Sequence, residues 1–148
     1  MRILGLDYGA RTVGAAICDP MGWTAQPLET VFRKDENKMR RTLARIEEIC
    51  REYEVEKIVI GLPLNMDDSE GERAQLARAF GEKVAARTLL PVVFEDERLT
   101  SVEAEDILIE SGQPRKEWKK VIDQMAASLI LRSYLEKEMR RGENHTEG

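Results

Sequence analysis

Arg2-Ile3-Leu4-Gly5-Leu6-Asp7-Tyr8-Gly9-Ala10-Arg11-Thr12-Val13-Gly14-Ala15-Ala16-Ile17-Cys18 is the stretch from which the fold is read. Residues 2 to 8 form an apolar run ending in a carboxylate, a buried-strand pattern. Gly9 to Thr12 offers a turn, and Val13 to Cys18 is a second apolar run, so the whole is a β-hairpin. Asp19-Pro20-Met21-Gly22 makes another turn. Thr24 to Phe32 then reads as a third, edge-like strand, because Pro27 cannot donate to a central ladder.

Downstream the pattern changes to alternating helix and strand. Met39, Leu43, Ile46, Cys50 and Tyr53 recur at three- and four-residue intervals, which predicts an amphipathic helix over about 36–54. Lys57 to Leu62, stopped by Pro63, reads as a parallel strand reached through that crossover helix. A polar loop from Asn65 to Arg73 precedes a helix over 73–88, and Pro91-Val92-Val93-Phe94 opens a strand closed by Asp96-Glu97-Arg98. Thr100 and Glu103 fit a capping box for a helix through Val102, Ile107 and Leu108 that stops at Ser111-Gly112. A last helix is expected over about 117–140, with 141–148 as a flexible C-terminal tail. Three antiparallel strands followed by parallel ones predict an α/β protein with a mixed five-stranded sheet, helices on both faces, and one domain over 1–140.

A chain of 148 residues can build one core, and its 42% hydrophobic and 34% charged residues are ordinary for a globular protein. No apolar run approaches the roughly 18 residues of a membrane span, and the first residues read as a strand instead of a signal peptide, so a cytoplasmic location is expected. Cys18 and Cys50 are too few for a disulfide framework. The single histidine, His145, lies in the polar tail, so a metal must be held by oxygen and histidine-based triads are excluded. A net charge of -5 argues against indiscriminate nucleic-acid coating. Two local clusters, Lys38/Arg40/Arg41/Arg45 and Arg115/Lys116/Lys119/Lys120, fit either solvated helix faces or phosphate contacts.

Three acids draw attention because each ends or interrupts an apolar segment: Asp7, Glu97 and Asp123, the last in Val121-Ile122-Asp123-Gln124-Met125-Ala126-Ala127. Singly, each has a plain reading, as a turn residue, a surface ion pair and a solvent-facing helix residue. Together, clustered carboxylates resist ionising unless divalent cations compensate them, and hard Mg2+ or Mn2+ suits an all-oxygen set. Either Asp96 or Glu97 can supply the acid at the end of its strand, since neighbours on a strand face opposite ways; Glu97 is preferred. Two ions about 4 Å apart are the usual arrangement for in-line phosphodiester hydrolysis.

Four ordered segments carry a resemblance over nearly the whole chain: Gly5 to Ala16, Val59-Ile60-Gly61-Leu62-Pro63-Leu64-Asn65-Met66-Asp67, Asp96-Glu97-Arg98-Leu99-Thr100-Ser101, and Asp123 to Ala127. They resemble the YqgF/RuvX family of pre-16S rRNA nucleases, relatives of Holliday junction resolvases in the RNase H-like superfamily. The resemblance implies an RNase H-like fold, a catalytic metal site at Asp7, Glu97 and Asp123, and processing of the 5′ end of pre-16S rRNA. It adds Arg11 and Thr100 as site-lining residues; with Arg98 and Asn65 they form the expected substrate-binding set. Asp68 departs from the family, which commonly has glycine there. Branched DNA is the alternative substrate, and a noncatalytic RNA-binding or transcription-associated role is a further alternative. Actin-like and sugar-kinase ATPases share only the first motif and need a second domain. Monomer and homodimer both stay open, since the last helix shows no clear self-complementary stripe.

Overall fold

The computed structural model describes residues 2–65, 67–97, 106, 107, 109–112 and 118–147, the side chains of 118–120 and 142–147 excepted. Five strands, β1 (Arg2–Tyr8), β2 (Thr12–Cys18), β3 (Ala25–Phe32), β4 (Val55–Leu62) and β5 (Val92–Asp96), form one sheet in the order β3-β2-β1-β4-β5. β1 pairs antiparallel with β2, and β2 with β3; β1 and β4, and β4 and β5, pair in parallel. The expected mixed sheet is therefore present, with β1 at its centre. Edge strand β3 carries its irregularity where the sequence placed Pro27: Ala15 faces Glu29 but Ala16 faces Pro27, so Leu28 is left over as a bulge.

Helices cover both faces, and strand alternation decides which. Leu4, Leu6, Tyr8, Ile58, Ile60 and Leu62 point to one side, where α1 (Arg40–Glu52) and α2 (Glu72–Thr88) bury Ile46, Ile49, Phe80 and Val84 against them. Ile3, Ala16 and Val59 point to the other, under Ala127, Ile130, Leu131 and Tyr134 of α3 (Trp118–Glu147). The second face is lined by small residues. A β-carbon on Gly5 would stand 2.8 Å from Leu131 Cβ, so α3 lies directly on the backbone of the sheet.

α3 is longer than its sequence suggests, because helical backbone continues through 141–147, the stretch expected as a flexible tail. Glu136 to Arg141 are good helix formers with no glycine or proline among them, and an Arg141–Glu138 pair at i,i+3 supports that turn. Between β5 and α3 the described residues 106, 107 and 109–111 are helical. Gly112 follows with φ +75° and its N–H bonded to the Ile109 carbonyl, the stop expected at Ser111-Gly112. The capping box at Thr100 and Glu103, and the basic residues Arg115 and Lys116, lie outside the described residues. Among the described residues no helix is long and apolar enough to cross a membrane.

Candidate active site

The carboxyl ends of β1, β4 and β5 lie side by side, and the acids singled out in the sequence meet there. Asp7 is opposite Gly14 in the β1–β2 ladder. Asp123 packs its backbone directly on Gly14: a β-carbon at 14 would stand 2.9 Å from Asp123 Cβ and closer still to its carbonyl group. Glu97 follows the last residue of β5, and its N–H bonds to the Leu62 carbonyl at 3.2 Å. Its carboxyl folds back over β4, where only a hydrogen at position 61 leaves room; a β-carbon on Gly61 would stand 2.7 Å from Glu97 Oε2. Glycines on two different strands thus make the recesses that hold two of the acids.

The three carboxyls act on one another. Asp7 is pushed up from its ordinary value by burial, and repulsion from Asp123 adds to this, while a hydrogen bond with Glu97 works the other way. Glu97 is pushed up to about 9, by burial first and then by the charge of Asp7 and the hydrogen bond to it. Both carboxyls are thus held above their ordinary values, chiefly because burial disfavours their charged forms, and they interact strongly as a pair. Asp96, exposed and on the opposite face of β5, contributes only a smaller repulsion, so Glu97 is the acid that faces Asp7.

Among the described residues, no three His, Cys, Asp or Glu side chains stand as a formed metal cage. Asp7 and Glu97 are instead turned toward each other. The donor chemistry nevertheless fits a hard divalent cation: three carboxyls, no sulfur or imidazole, and a clustered negative charge that burial makes costly.

A second cluster stands behind the hairpin turn, and sequence reasoning missed it. Tyr8 stacks on Phe80 with centroids 4.5 Å apart and donates its hydroxyl to Glu36 at 2.7 Å. Arg33 is buried, lies over the Tyr8 ring at 5.0 Å and donates Nη2 to the Gly9 carbonyl at 2.7 Å. Arg73, at the start of α2, donates Nη1 to Glu36 at 3.0 Å and sits close enough to Glu97 to draw that acid's pKa down against the larger upward effects. Arg33 therefore pins the Gly9 turn, and Arg73 adds a positive charge within electrostatic reach of Glu97. Each of these arginines looks like an ordinary surface cation in the sequence, and only packing brings them together.

The other expected residues distribute as follows. Arg11 is exposed in the β1–β2 turn, and its carbonyl accepts the Arg33 N–H at 2.8 Å. Asn65 closes the loop after β4, donating Nδ2 to Ser69 Oγ at 3.0 Å and its backbone N–H to the Ser69 carbonyl. Asp68 has φ +69°, the left-handed region that glycine occupies without strain and aspartate tolerates, so the departure from the family sits at a position shaped for glycine. Arg98 and Thr100 lie outside the described residues. Of the first basic cluster, Arg45 is held by Glu29 and Glu48 and Lys38 pairs with Asp35, while Arg40 and Arg41 are exposed.

The family model described as RuvX, Holliday junction resolvase, matches residues 1–137. The chain belongs to the RuvX family. A relative from Lachnospira eligens named "Putative pre-16S rRNA nuclease" is 55% identical over 140 residues, covering 95% of this chain and 100% of the relative. One of the same name from Listeria monocytogenes is 52% identical, covering 92% and 98%. Among solved structures, Thermus thermophilus RuvC in complex with Holliday junction substrate superposes with a TM-score of 0.59 at 16% identity, covering 94% of this chain and 96% of that one. The fowlpox virus resolvase in complex with its substrate Holliday junction DNA gives 0.58 at 13% identity, covering 93% and 98%. These likenesses show the fold, the RNase H-like arrangement expected from the sequence.

Proposed function

We propose that this RuvX-family chain is a divalent-cation-dependent nuclease that hydrolyses a phosphodiester bond in the 5′ region of pre-16S rRNA in the cytoplasm. What carries the reading is the convergence of Asp7, Glu97 and Asp123 at the carboxyl ends of β1 and β5 and on α3, together with relatives at 50–55% identity named for that activity. Asp7, Glu97 and Asp123 would hold Mg2+ or Mn2+, which when bound polarises a phosphoryl oxygen and lowers the pKa of water.

The protein's own residues have separable tasks. Asp7 and Asp123 bring negative charge together across Gly14, and burial holds the Asp7 and Glu97 carboxyls toward their neutral forms, a cost that a bound cation would relieve. Arg73 offers a guanidinium beside Glu97, where a phosphate oxygen needs a donor, and Glu36 and the Tyr8 ring fix its direction. Arg33 locks the Gly9 carbonyl and with it the turn that follows Asp7. Arg11, exposed on that turn, and Asn65, exposed in the loop after β4, are assigned to the nucleic-acid strand. Arg98 and Thr100 complete the proposed substrate-binding set.

The test is cleavage of a 5′-extended 16S precursor by the purified protein with Mn2+ or Mg2+, beside Asp7→Asn. Metal-dependent cutting by the parent, lost in the variant while its melting curve and RNA binding persist, is the expected result. Equal cutting by both proteins removes Asp7 from the chemistry. The fold likeness to junction resolvases supports one second reading, branched DNA as substrate; symmetric cutting of a four-way junction with no cutting of the precursor would select it.

A further inference from the structure

Edge strand β3 ends in an exposed phenylalanine at the same end of the sheet as the acids. Phe32 is 67% exposed. In the β2–β3 ladder it faces Thr12, just as Thr30 faces Gly14. Directly opposed residues of an antiparallel pair point to the same side, and Thr12 shares its side with Gly14, on which Asp123 packs. The Phe32 ring therefore leaves the sheet on the acidic-site face. Gly9 pairs its N–H with Thr12, so Phe32 lies two strands across from the turn after Asp7, about 10 Å at the usual strand spacing.

Its neighbours are cationic. Arg11 precedes Thr12 and is tied to the residue after Phe32 by the Arg33 N–H to Arg11 carbonyl bond; Lys34 is exposed next in the chain. Lys38, Arg40 and Arg41 are exposed further along, where the chain enters α1 on the opposite face of the sheet. The acids of this corner are already engaged, Glu36 by Tyr8 and Arg73, and Asp35 by Lys38. Exposed cations at this edge of a chain of net charge -5 are matched to a polyanion, and a flat apolar ring next to Arg11 and Lys34 is matched to a base.

We propose that Phe32 is a stacking platform for an unpaired nucleotide next to the scissile phosphate, so that the preferred substrate is a nucleic acid with a single-stranded segment or branch beside the cut. The idea rests on the nuclease reading above. It explains why a large aromatic ends an exposed edge strand, and it assigns Arg11 and Lys34 to the phosphates on either side of the stacked base.

The probe is a synthetic RNA hairpin with a 5′ single-stranded extension carrying 2-aminopurine at successive positions, compared with a fully paired duplex of the same sequence. Binding is measured on the cleavage-silent Asp7→Asn chain. Adding Phe32→Ala should weaken binding of the extended hairpin about 10-fold. It should also remove the quenching at one extension position and leave duplex binding unchanged. Phe32→Trp should keep both signals, and Phe32→Leu, apolar but unable to stack, should behave as alanine. Unchanged hairpin affinity in Phe32→Ala, or equal loss for hairpin and duplex, overturns the proposal. So does a dimer that Phe32→Ala dissociates with RNA affinity intact, which would give the ring to a second copy of the chain. A parent chain that cuts no nucleic acid with Mn2+ or Mg2+ brings down the nuclease reading instead; cutting by the parent that Asp7→Asn abolishes, with a silent Phe32→Ala, brings down only the stacking.

Discussion

Replacing Gly14 by alanine tests the geometry on which the site depends, because this position is where α3 touches the sheet. The added β-carbon would meet Asp123 Cβ at 2.9 Å and its carbonyl group at less, whereas real β-carbons essentially never come within 3.0 Å of a neighbour. Backbone cannot turn aside as a flexible side chain does. The helix would have to retreat by about 1 Å or more to regain van der Waals separation, at an overpacking cost of about 1–3 kcal/mol. For a domain of this size about 2 kcal/mol lowers the melting midpoint by roughly 4–8 °C. The functional effect is expected to be larger than the loss of stability. A displacement of about 1 Å in a positioned group costs on the order of 100-fold in rate, and Asp123 is the group displaced. Gly14→Ala should therefore fold, melt several degrees early, and lose about 100-fold in metal-dependent cleavage. The assays are a thermal melt, cleavage of the 5′-extended precursor, and calorimetric titration with Mn2+. A variant that melts with the parent and cleaves at its rate would refute the placement of Asp123 on Gly14.

The pH dependence of stability follows from the burial of Glu97. Glu97 is raised from 4.5 to about 9 in the fold, so the folded state binds more protons than the unfolded chain between those values, and its contribution to stability is complete in acid and lost as pH rises through about 9. In chelator, the melting temperature should fall across that window; Mn2+ should restore it increasingly toward high pH, and Glu97→Gln should flatten the chelator curve. A flat curve for the parent, or an unchanged slope in Glu97→Gln, contradicts the assignment. On β5, the buried acid Glu95 is 5% exposed and hydrogen-bonded to Lys137 and Ser133. Lys137→Met should cost about 3 kcal/mol by leaving that carboxylate without its cation, and Glu95→Gln in the same chain should recover most of the loss in a denaturant titration.

Much of the fold was legible in the sequence because strand and helix periodicities are local. The β1–β2 hairpin, the proline-marked edge strand, the crossover to β4 and the order of the elements all follow from residues close together in the chain. Asp7 and Glu97 were recognisable for a related reason, since a carboxylate ending an apolar strand is costly and calls for a partner. The end of α3 differs from the expected tail because helical backbone runs on from the good helix formers Glu136 to Arg141 through Gly142, Asn144 and Thr146, whose own propensities are low and read as a stop.

Other features exist only in three dimensions. That Glu97 and not Asp96 faces Asp7 depends on how the chain leaves β5 and on the space over Gly61. Arg33 and Arg73 are separated by 40 positions of sequence and by α1 and β4, yet both lie over the Tyr8 ring. Sequence alone determined which segments become strands and helices and which acids would be costly to bury, since these are properties of neighbouring residues and their solvation. Tertiary structure decided which of those acids meet, which arginines stand behind them, and which glycines let the helix come close. Those are matters of ångströms between segments that only the packed sheet brings together.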